Sequence, residues 1–556
     1  MSAVSYASGA SDVPLLGETI GAHFDRIAAT YPDNEAVVSL HQDSRLTYRE
    51  LRAATDVFAR GLIAIGVAPG DRVGIWSTNN FEWVVAQFAT PKIGAILVNI
   101  NPAYRRSEAG YVLRESGVSV LLTQIRYKTS EYVDMLRELR AELPALRIVV
   151  LIGDEELTAP LFGAMRYGDV LTAAEGVSGE MLADRLAATQ FDEAVNIQYT
   201  SGTTGFPKGA TLSHHNILNN GYFIGERCHY EDCDRICVPV PFYHCFGMVL
   251  GNLAIVTHGA TLVIPSATFD PSLALEAVAR ERCTALYGVP TMFVAELALA
   301  NLATYDVRSL RTGIMAGSPC PIEIMKRVRS ELHMSEVTIC YGMTETSPVS
   351  LQTMPEDPLE KRTQTVGRVH PHTEVKIVDE RNRVVPRNAP GELCTRGYGV
   401  MLGYWSDPAA TALAIDAARF MHTGDIATMD DAGYVSVIGR TKDMLIRGGE
   451  NVYPREIEEF LYTHPSVQDV AVIGVPDGKY GEEICAWIIL RDGAELDADG
   501  VRTYCRQRIA AYKVPRYVRF AQEFPMTVTG KVQKYKMREI TASELGLQAP
   551  VETTPH

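Results

Sequence analysis

The sequence predicts an α/β protein. A large N-terminal domain of helix-covered parallel sheets carries a small β-barrel, and a small α+β domain follows at the C-terminal end. Three observations lead there. At 556 residues and 46% hydrophobic, the chain can bury a large core and is long enough to divide into more than one domain. Its first part alternates short apolar runs with amphipathic stretches, the rhythm of strands joined through helices, which gives parallel sheets covered on both faces. Past Gly367 this gives way to short alternating strands with turns, as in VKIVDERNRVV and GELCTRG, the pattern of a small antiparallel barrel.

From the N-terminus, Ile20, Phe24 and Ile27 recur at helical spacing, and 36–40 is an apolar run of strand length. Thr47 with Glu50 forms a capping box, opening a helix that stops near Gly66. Strands are predicted at 72–76, 96–98, 118–122 and 148–151, with helical segments between them. The apolar run 248–264 is interrupted by Asn252, Thr257 and His258. It is too short and too polar to cross a bilayer and reads as buried helix and strand. Further strands are expected at 285–287, 312–316 and 337–341, and after the barrel segment a helix at 457–462 and strands at 469–474 and 484–490.

With 52 basic against 67 acidic residues the net charge is −15, which argues against a general binder of nucleic acid or anionic membranes. No Lys or Arg precedes Arg26, so the start lacks the marks of a secretory signal or mitochondrial presequence, and the expected compartment is the cytoplasm. The ten cysteines stand singly, with no CxxC pair. Cys228, Cys233, Cys237 and Cys245 are near one another, but at no spacing familiar from zinc sites, and reduced core thiols are expected.

Chemistry enters with residues 199–209, YTSGTTGFPKG, which put three glycines, three threonines, a serine and a lysine behind the apolar run 195–197. Glycines let backbone approach a ligand, hydroxyls add donors and Lys208 adds charge, so this loop suits a polyphosphate. It is not a Walker A loop, because proline precedes the lysine and Gly209 follows it. Further along stand VPVPFYHCFGM at 238–248, a GSP turn at 317–319, YGMTETSP at 341–348, a long segment from HTGD at 422–425 through RTKD at 440–443 to GGENVYPREIE ending at 458, and PMTVTGKVQK at 525–534.

Loop and motifs together resemble the adenylate-forming, AMP-binding superfamily of acyl-CoA synthetases, luciferases and adenylation domains, in the family's order and over nearly the whole chain. Within it, VNINPAY, GYVLRESG and VPDGKYGEEICAWI are most similar to fatty acyl-CoA synthetases, in particular the medium-chain group of acyl-CoA synthetase family member 2. The resemblance implies ATP, Mg²⁺ and coenzyme A. It places ATP on Thr200, Ser201, Gly202, Thr203, Thr204, Gly205 and Lys208, on Gly317, Ser318 and Pro319 at the adenine, and on Tyr341, Gly342, Met343 and Thr344. Tyr341 would stack on the base and Thr344 would meet the α-phosphate. Asp425 and Arg440 are assigned to the ribose, Glu345 with Thr204 to the metal, and Lys531 to catalysis beside Thr344, Glu345 and His244. Lys442 falls at the hinge, dividing the chain into domains 1–441 and 442–556, and Gly448, Gly449 and Glu450 fall at the CoA tunnel. Candidates for the acyl pocket are Tyr243, His244, Met248, Tyr287, Met292, Phe293, Met315 and Gly342.

A carboxylate with an ordinary pKa of about 4 is already ionised at neutral pH, so its attack on the α-phosphate of ATP requires no general base. The obstacle is repulsion between anions, which placed cations and donors relieve. The expected partners are a small carboxylic acid, ATP and CoA, with no nucleic acid and no transmembrane segment, and a homodimer stays open. An acyl-AMP ligase loading a carrier protein, a luciferase-like monooxygenase and an inactive homologue are the rival readings.

Overall fold

A computed structural model describes residues 4–153, 155, 157, 159–200, 207–318, 320–440, 443–447, 450–477, 480–506, 508–527 and 532–547. Two large sheets form its core. The first has eight strands, running in space Ala164–Arg166, Ile148–Leu151, Val118–Thr123, Arg72–Trp76, Ile96–Asn99, Ala194–Thr200, Lys208–Ser213 and Gly403–Tyr404. It is parallel as far as Ala194–Thr200, then turns antiparallel through a hairpin that pairs Tyr199 with Gly209 and Thr200 with Lys208. The second has nine strands, with Ala285–Gly288, Thr312–Ala316 and Thr338–Gly342 side by side and parallel in its middle. The predicted strands at 72–76, 148–151 and 312–316 coincide with observed ones.

Local signals explain the helices. Thr47 and Glu50 make the reciprocal cap of helix Tyr48–Ala64, and Gly66, past its end, has φ +86°, a conformation that glycine adopts without a Cβ penalty. Ser213 ends the hairpin strand and caps helix His214–Arg227, its hydroxyl accepting from Asn216 N. The apolar run 248–264 becomes part of a π-helix, Phe246–Leu253, a short helix, and the strand Thr261–Ile264. π-Helical turns often mark functional sites, and every residue of this one is buried.

The expected barrel is an open half-barrel. Five antiparallel strands run in the order Tyr6–Ser8, Thr373–Val378, Gly391–Gly397, Met421–Met429 and Val435–Arg440. One edge comes from the N-terminal segment, which carried no strand signal, and among the described residues the two edge strands are not paired to each other. The C-terminal part has a sheet of its own, with Val467–Asp477 and Gly481–Leu490 as a long hairpin, Tyr517–Phe520 parallel to the latter, and helices Pro454–Tyr462, Ala498–Arg506 and Lys534–Glu544. It has separate cores, around Leu445, Ile457 and Ile488 and around Trp487 and Met537. Among the described residues no helix is long and apolar enough to cross a membrane.

Candidate active site

The site lies where the middle strands of the second sheet end. In open parallel sheets ligands bind outside these carboxyl ends, because the loops there diverge. Gly317, with φ +92°, and Ser318 follow Thr312–Ala316. Tyr341 and Gly342 end Thr338–Gly342, and Thr344–Thr346 form a 3₁₀ turn directly after.

Glu345 is the polar centre, buried to 5% exposure. Its Oε1 accepts from Tyr404 Oη at 2.9 Å and from Thr200 Oγ1 at 3.3 Å, while its main-chain carbonyl accepts from Met401 N at 2.9 Å. No hydrogen bond reaches Oε2 from the described residues. Tyr404 also places its ring 5.2 Å from Lys208 Nζ, a cation–π distance. One aromatic side chain thus spans the carboxylate and the lysine of the loop. Burial, and next the Glu345 carboxylate, raise the Tyr404 phenol well above its ordinary range, so it stays a donor. Sequence reading missed this residue. Its only signal is a two-residue strand, Gly403–Tyr404, paired to Lys208–Ser213, which no local pattern announces.

A second group gathers at Tyr341, where strand Thr338–Gly342 ends. Tyr341 Oη donates to Asp425 Oδ2 at 2.5 Å, and Arg440 Nε lies 3.1 Å from Asp425 Oδ1. Asp425 and Arg440 stand opposite each other across two antiparallel strands. Asp425 is 7% exposed whereas the Arg440 side chain is 55% exposed, so the cation is free to meet a ligand while the carboxylate is held. Glu392, also absent from the predicted set, fixes the approach to Asp425. It accepts from Gly424 N at 3.0 Å and pairs with His422 Nδ1 at 2.8 Å.

His244 stands two residues before the π-helix. Its Nδ1 accepts from Phe246 N at 3.1 Å, which puts the proton of the neutral ring on Nε2. The adjacent Cys245 Sγ lies 3.7 Å from Thr344 Oγ1, which brings that helix to the 3₁₀ turn.

The acyl candidates divide. Tyr287 is fully buried, with its ring 5.8 Å from that of Phe246, and Met292 packs in the same cluster. Met315 and Phe293 belong instead to the cluster on the other side of the sheet, with Leu286 and Leu297. Side chains alternate along a strand, so Ile314 and Ala316 share the Tyr287 face and Met315 cannot. Phe293, on helix Pro290–Leu297, packs into that same far cluster. Met248 turns to the first sheet, its Sδ 3.5 Å from Asn99 Nδ2 and 3.8 Å from Gln198 Nε2. The buried Tyr243 Oη has no hydrogen-bond partner among the described residues. Gly342 answers a backbone demand, since a Cβ there would lie 1.7 Å from Pro348 O.

Ser201, Gly202, Thr203, Thr204, Gly205, Pro319, Lys442, Gly448, Gly449 and Lys531 lie outside the described residues, as does the side chain of Glu450. Beside Lys531, Met526 and Val532 form an antiparallel bridge, and Lys534 Nζ pairs with Glu458 Oε1 at 2.6 Å. Helix Pro454–Tyr462 touches the large domain at strand Val435–Arg440 and at the start of helix Ile322–Glu331. Arg455 Nη1 donates to Val437 O at 2.8 Å, and Glu459 Oε2 accepts at 3.3 Å from Ile322 N, at the start of helix Ile322–Glu331.

Residues 24–405 match the model of the AMP-binding enzyme family, and 456–531 match the AMP-binding enzyme C-terminal domain. The Bacillus subtilis (strain 168) protein YngI, provisionally named an acyl-CoA synthetase, is 47% identical over 549 residues, spanning 96% of this chain and 99% of its own. The human medium-chain acyl-CoA ligase ACSF2, named as mitochondrial, is 42% identical over 560 residues, 98% of this chain and 91% of its own. Among solved structures, the anthranilate CoA ligase AuaEII in complex with anthranoyl-AMP superposes with a TM-score of 0.85 at 27% identity, covering 96% of this chain and 99% of that one.

Proposed function

Because the chain belongs to the AMP-binding enzyme family, we propose that it is an ATP-dependent ligase joining medium-chain fatty acids to coenzyme A through an acyl-adenylate. The cluster at Glu345 carries this reading, a buried carboxylate whose Oε2 receives no hydrogen bond from the described residues, near the Lys208 ammonium across the Tyr404 ring. Hard oxygen donors of this kind fit Mg²⁺. Glu345 and Thr204 would hold the ion, which when bound supplies charge neutralisation at the phosphates.

In the first step a carboxylate oxygen of the acid bonds to the α-phosphorus and pyrophosphate leaves with the electrons of the broken bond. Thr344, Lys208 and Lys531 offer donors to the oxygens that gain charge. Tyr341, its hydroxyl held by Asp425, stacks on the adenine, and Asp425 and Arg440 hold the ribose. In the second step the CoA sulfur bonds to the acyl carbon, AMP departs, and the thiol proton passes to solvent. Domains 1–441 and 442–556 turn about Lys442 between the steps, so that Gly448, Gly449 and Glu450 replace Lys531 at the site. His244 stands at the mouth of the acyl pocket. The cytoplasm is the proposed compartment, which suits the ten free cysteines.

The test is a panel of fatty, aromatic and polycyclic acids assayed for pyrophosphate and AMP, with and without CoA. CoA-dependent turnover of medium-chain acids is the expected result. Pyrophosphate release with no acyl-CoA formed would point to a carrier protein as acceptor. The Lys442→Pro variant locks φ at the hinge. It should spare adenylate formation and slow thioester formation, and equal loss of both would count against the two-position cycle.

A further inference from the structure

Strands Gly391–Gly397 and Met421–Met429 run antiparallel, and their pairing slips in the middle. Glu392 lies opposite Ile426, while Cys394, two residues on, lies opposite His422. The second strand therefore bulges, and the bulge carries Gly424, at φ +70°, and Asp425. Alternation puts Glu392 and Cys394 on one face of their strand, and at the foot of the bulge three donor atoms of different kinds meet. Glu392 Oε2 lies 2.8 Å and Cys394 Sγ 3.5 Å from His422 Nδ1, and all three are within 4.8 Å of one another.

These spacings suit a metal. A tetrahedral zinc ion, at about 2.3 Å from sulfur and about 2.0 to 2.2 Å from nitrogen and oxygen, holds its ligand atoms about 3.3 to 3.6 Å apart. The sulfur–nitrogen separation already has that value, and Glu392 has only to back away by about half an ångström. The surroundings agree. A histidine bound through Nδ1 keeps its proton on Nε2 and usually turns that N–H toward a carboxylate. Asp416 Oδ2 lies 3.8 Å from His422 Nε2, and Asp416 is itself set by accepting from Phe420 N at 2.8 Å and Lys376 Nζ at 3.3 Å. Charges also balance, since a thiolate and Glu392 offset a dication while Asp416 offsets Lys376. Cys394 is buried, whereas the His422 and Glu392 side chains are 25% and 30% exposed, so an ion can enter from solvent and water can fill its fourth position.

We propose that Glu392, Cys394 and His422 form a zinc site, with Asp416 orienting the histidine, that staples the two strands beneath the bulge carrying Asp425. Thiolate, imidazole and one carboxylate select Zn²⁺ rather than Mg²⁺, which sets this site apart from the oxygen cluster at Glu345. On binding, a sulfur–metal bond replaces the S–H bond and the thiol proton passes to solvent. Glu392 Oε1 keeps its bond from Gly424 N at 3.0 Å, so the bulge retains its anchor. Cys394 and His422 are 28 residues apart, far from the close spacing that marks a zinc motif in a sequence. The inference is independent of the ligase reading.

Cys233 is exposed and can take up thiophilic ions by itself, so the full-length Cys233→Ser protein is the reference. Freed of metal with a chelator and kept in excess Mg²⁺, it is titrated with Co²⁺ as a spectroscopic substitute for Zn²⁺. A thiolate-to-cobalt charge-transfer band should appear, saturate at equimolar ion and be discharged by Zn²⁺. Cys394→Ser in this background should abolish the band. Asp416→Asn should keep it but weaken Co²⁺ binding by about ten- to a hundredfold, and unchanged affinity there would remove Asp416 from the site. No band in the reference protein, or a band that survives Cys394→Ser, overturns the proposal. If Cys394→Ser fails to fold, Glu392→Gln and His422→Asn decide. A loss of Co²⁺ affinity of about tenfold or more in each supports the site, and unchanged affinity in both overturns it.

Discussion

At the proposed nucleotide site, Thr200, Glu345 and Tyr404 come from segments far apart in the chain and are joined by hydrogen bonds around one carboxylate. Between the π-helix and the middle strands, Phe246, Leu250 and Tyr287 are apolar or aromatic and buried. The difference teaches what each end must resist. Among the phosphates the problem is charge, answered by placed donors and cations. Between the π-helix and the middle strands the problem is volume, answered by close packing.

Three experiments bear on this contrast. The largest effect belongs to charge. In Lys531→Ala, pyrophosphate release should fall by about 10²- to 10³-fold, while thioester formation from supplied acyl-adenylate continues. Equal damage to both steps would remove the electrostatic account of this end.

Next comes acid sensitivity. His214 opens the helix behind the phosphate hairpin, and its Nδ1 accepts from Ile20 N at 3.1 Å. Burial lowers the imidazole to about 3, so the folded protein keeps it neutral while the unfolded chain protonates near pH 6.5. Its stability contribution is therefore full above about pH 6.5 and is lost as pH falls from there toward 3. Between about pH 7 and pH 5 the cost is about 2 kcal/mol. His214→Asn, whose amide oxygen can accept the same bond, should lose less stability over that interval in urea unfolding. Identical losses in both proteins would assign the acid sensitivity to other groups.

The smallest effect separates the two roles of Tyr404. Tyr404→Phe keeps the ring near Lys208 but removes the hydroxyl from Glu345. Adenylation should slow by about tenfold, with the Mg²⁺ requirement shifted to higher concentration. Tyr404→Leu removes the ring as well and should be slower again. An unaffected Tyr404→Phe would mean that Glu345 is held by its other contacts.

Legibility in the sequence follows the same division. Polar residues in a glycine-rich loop, or a glutamate between two threonines at a strand end, are expensive to keep in a core. Their presence together at Tyr341, Thr344 and Glu345 therefore reads as a site. Apolar residues carry no such mark. Met315 and Met248 are as apolar as Tyr287 and Phe246, and only the strand's alternation and the turn of the π-helix decide that the first two face elsewhere. Tyr404 escaped notice for a third reason, since it reaches Glu345 from 59 residues away through a strand too short to leave a periodic trace.

From the amino-acid sequence alone came the alternation of strands and helices, the capping of Tyr48–Ala64, the phosphate loop and the order of the motifs. Each of these is set by interactions within a few residues, where propensity and periodicity act. The tertiary structure decided the edge strand 6–8 of the half-barrel, the spanning of Lys208 and Glu345 by Tyr404, the clamp of Glu392 on Gly424 and the hydrogen bonds that hold the Tyr287 hydroxyl. These depend on which distant segments meet and which face each side chain takes. Strand pairing and packing fix both only when the whole core closes.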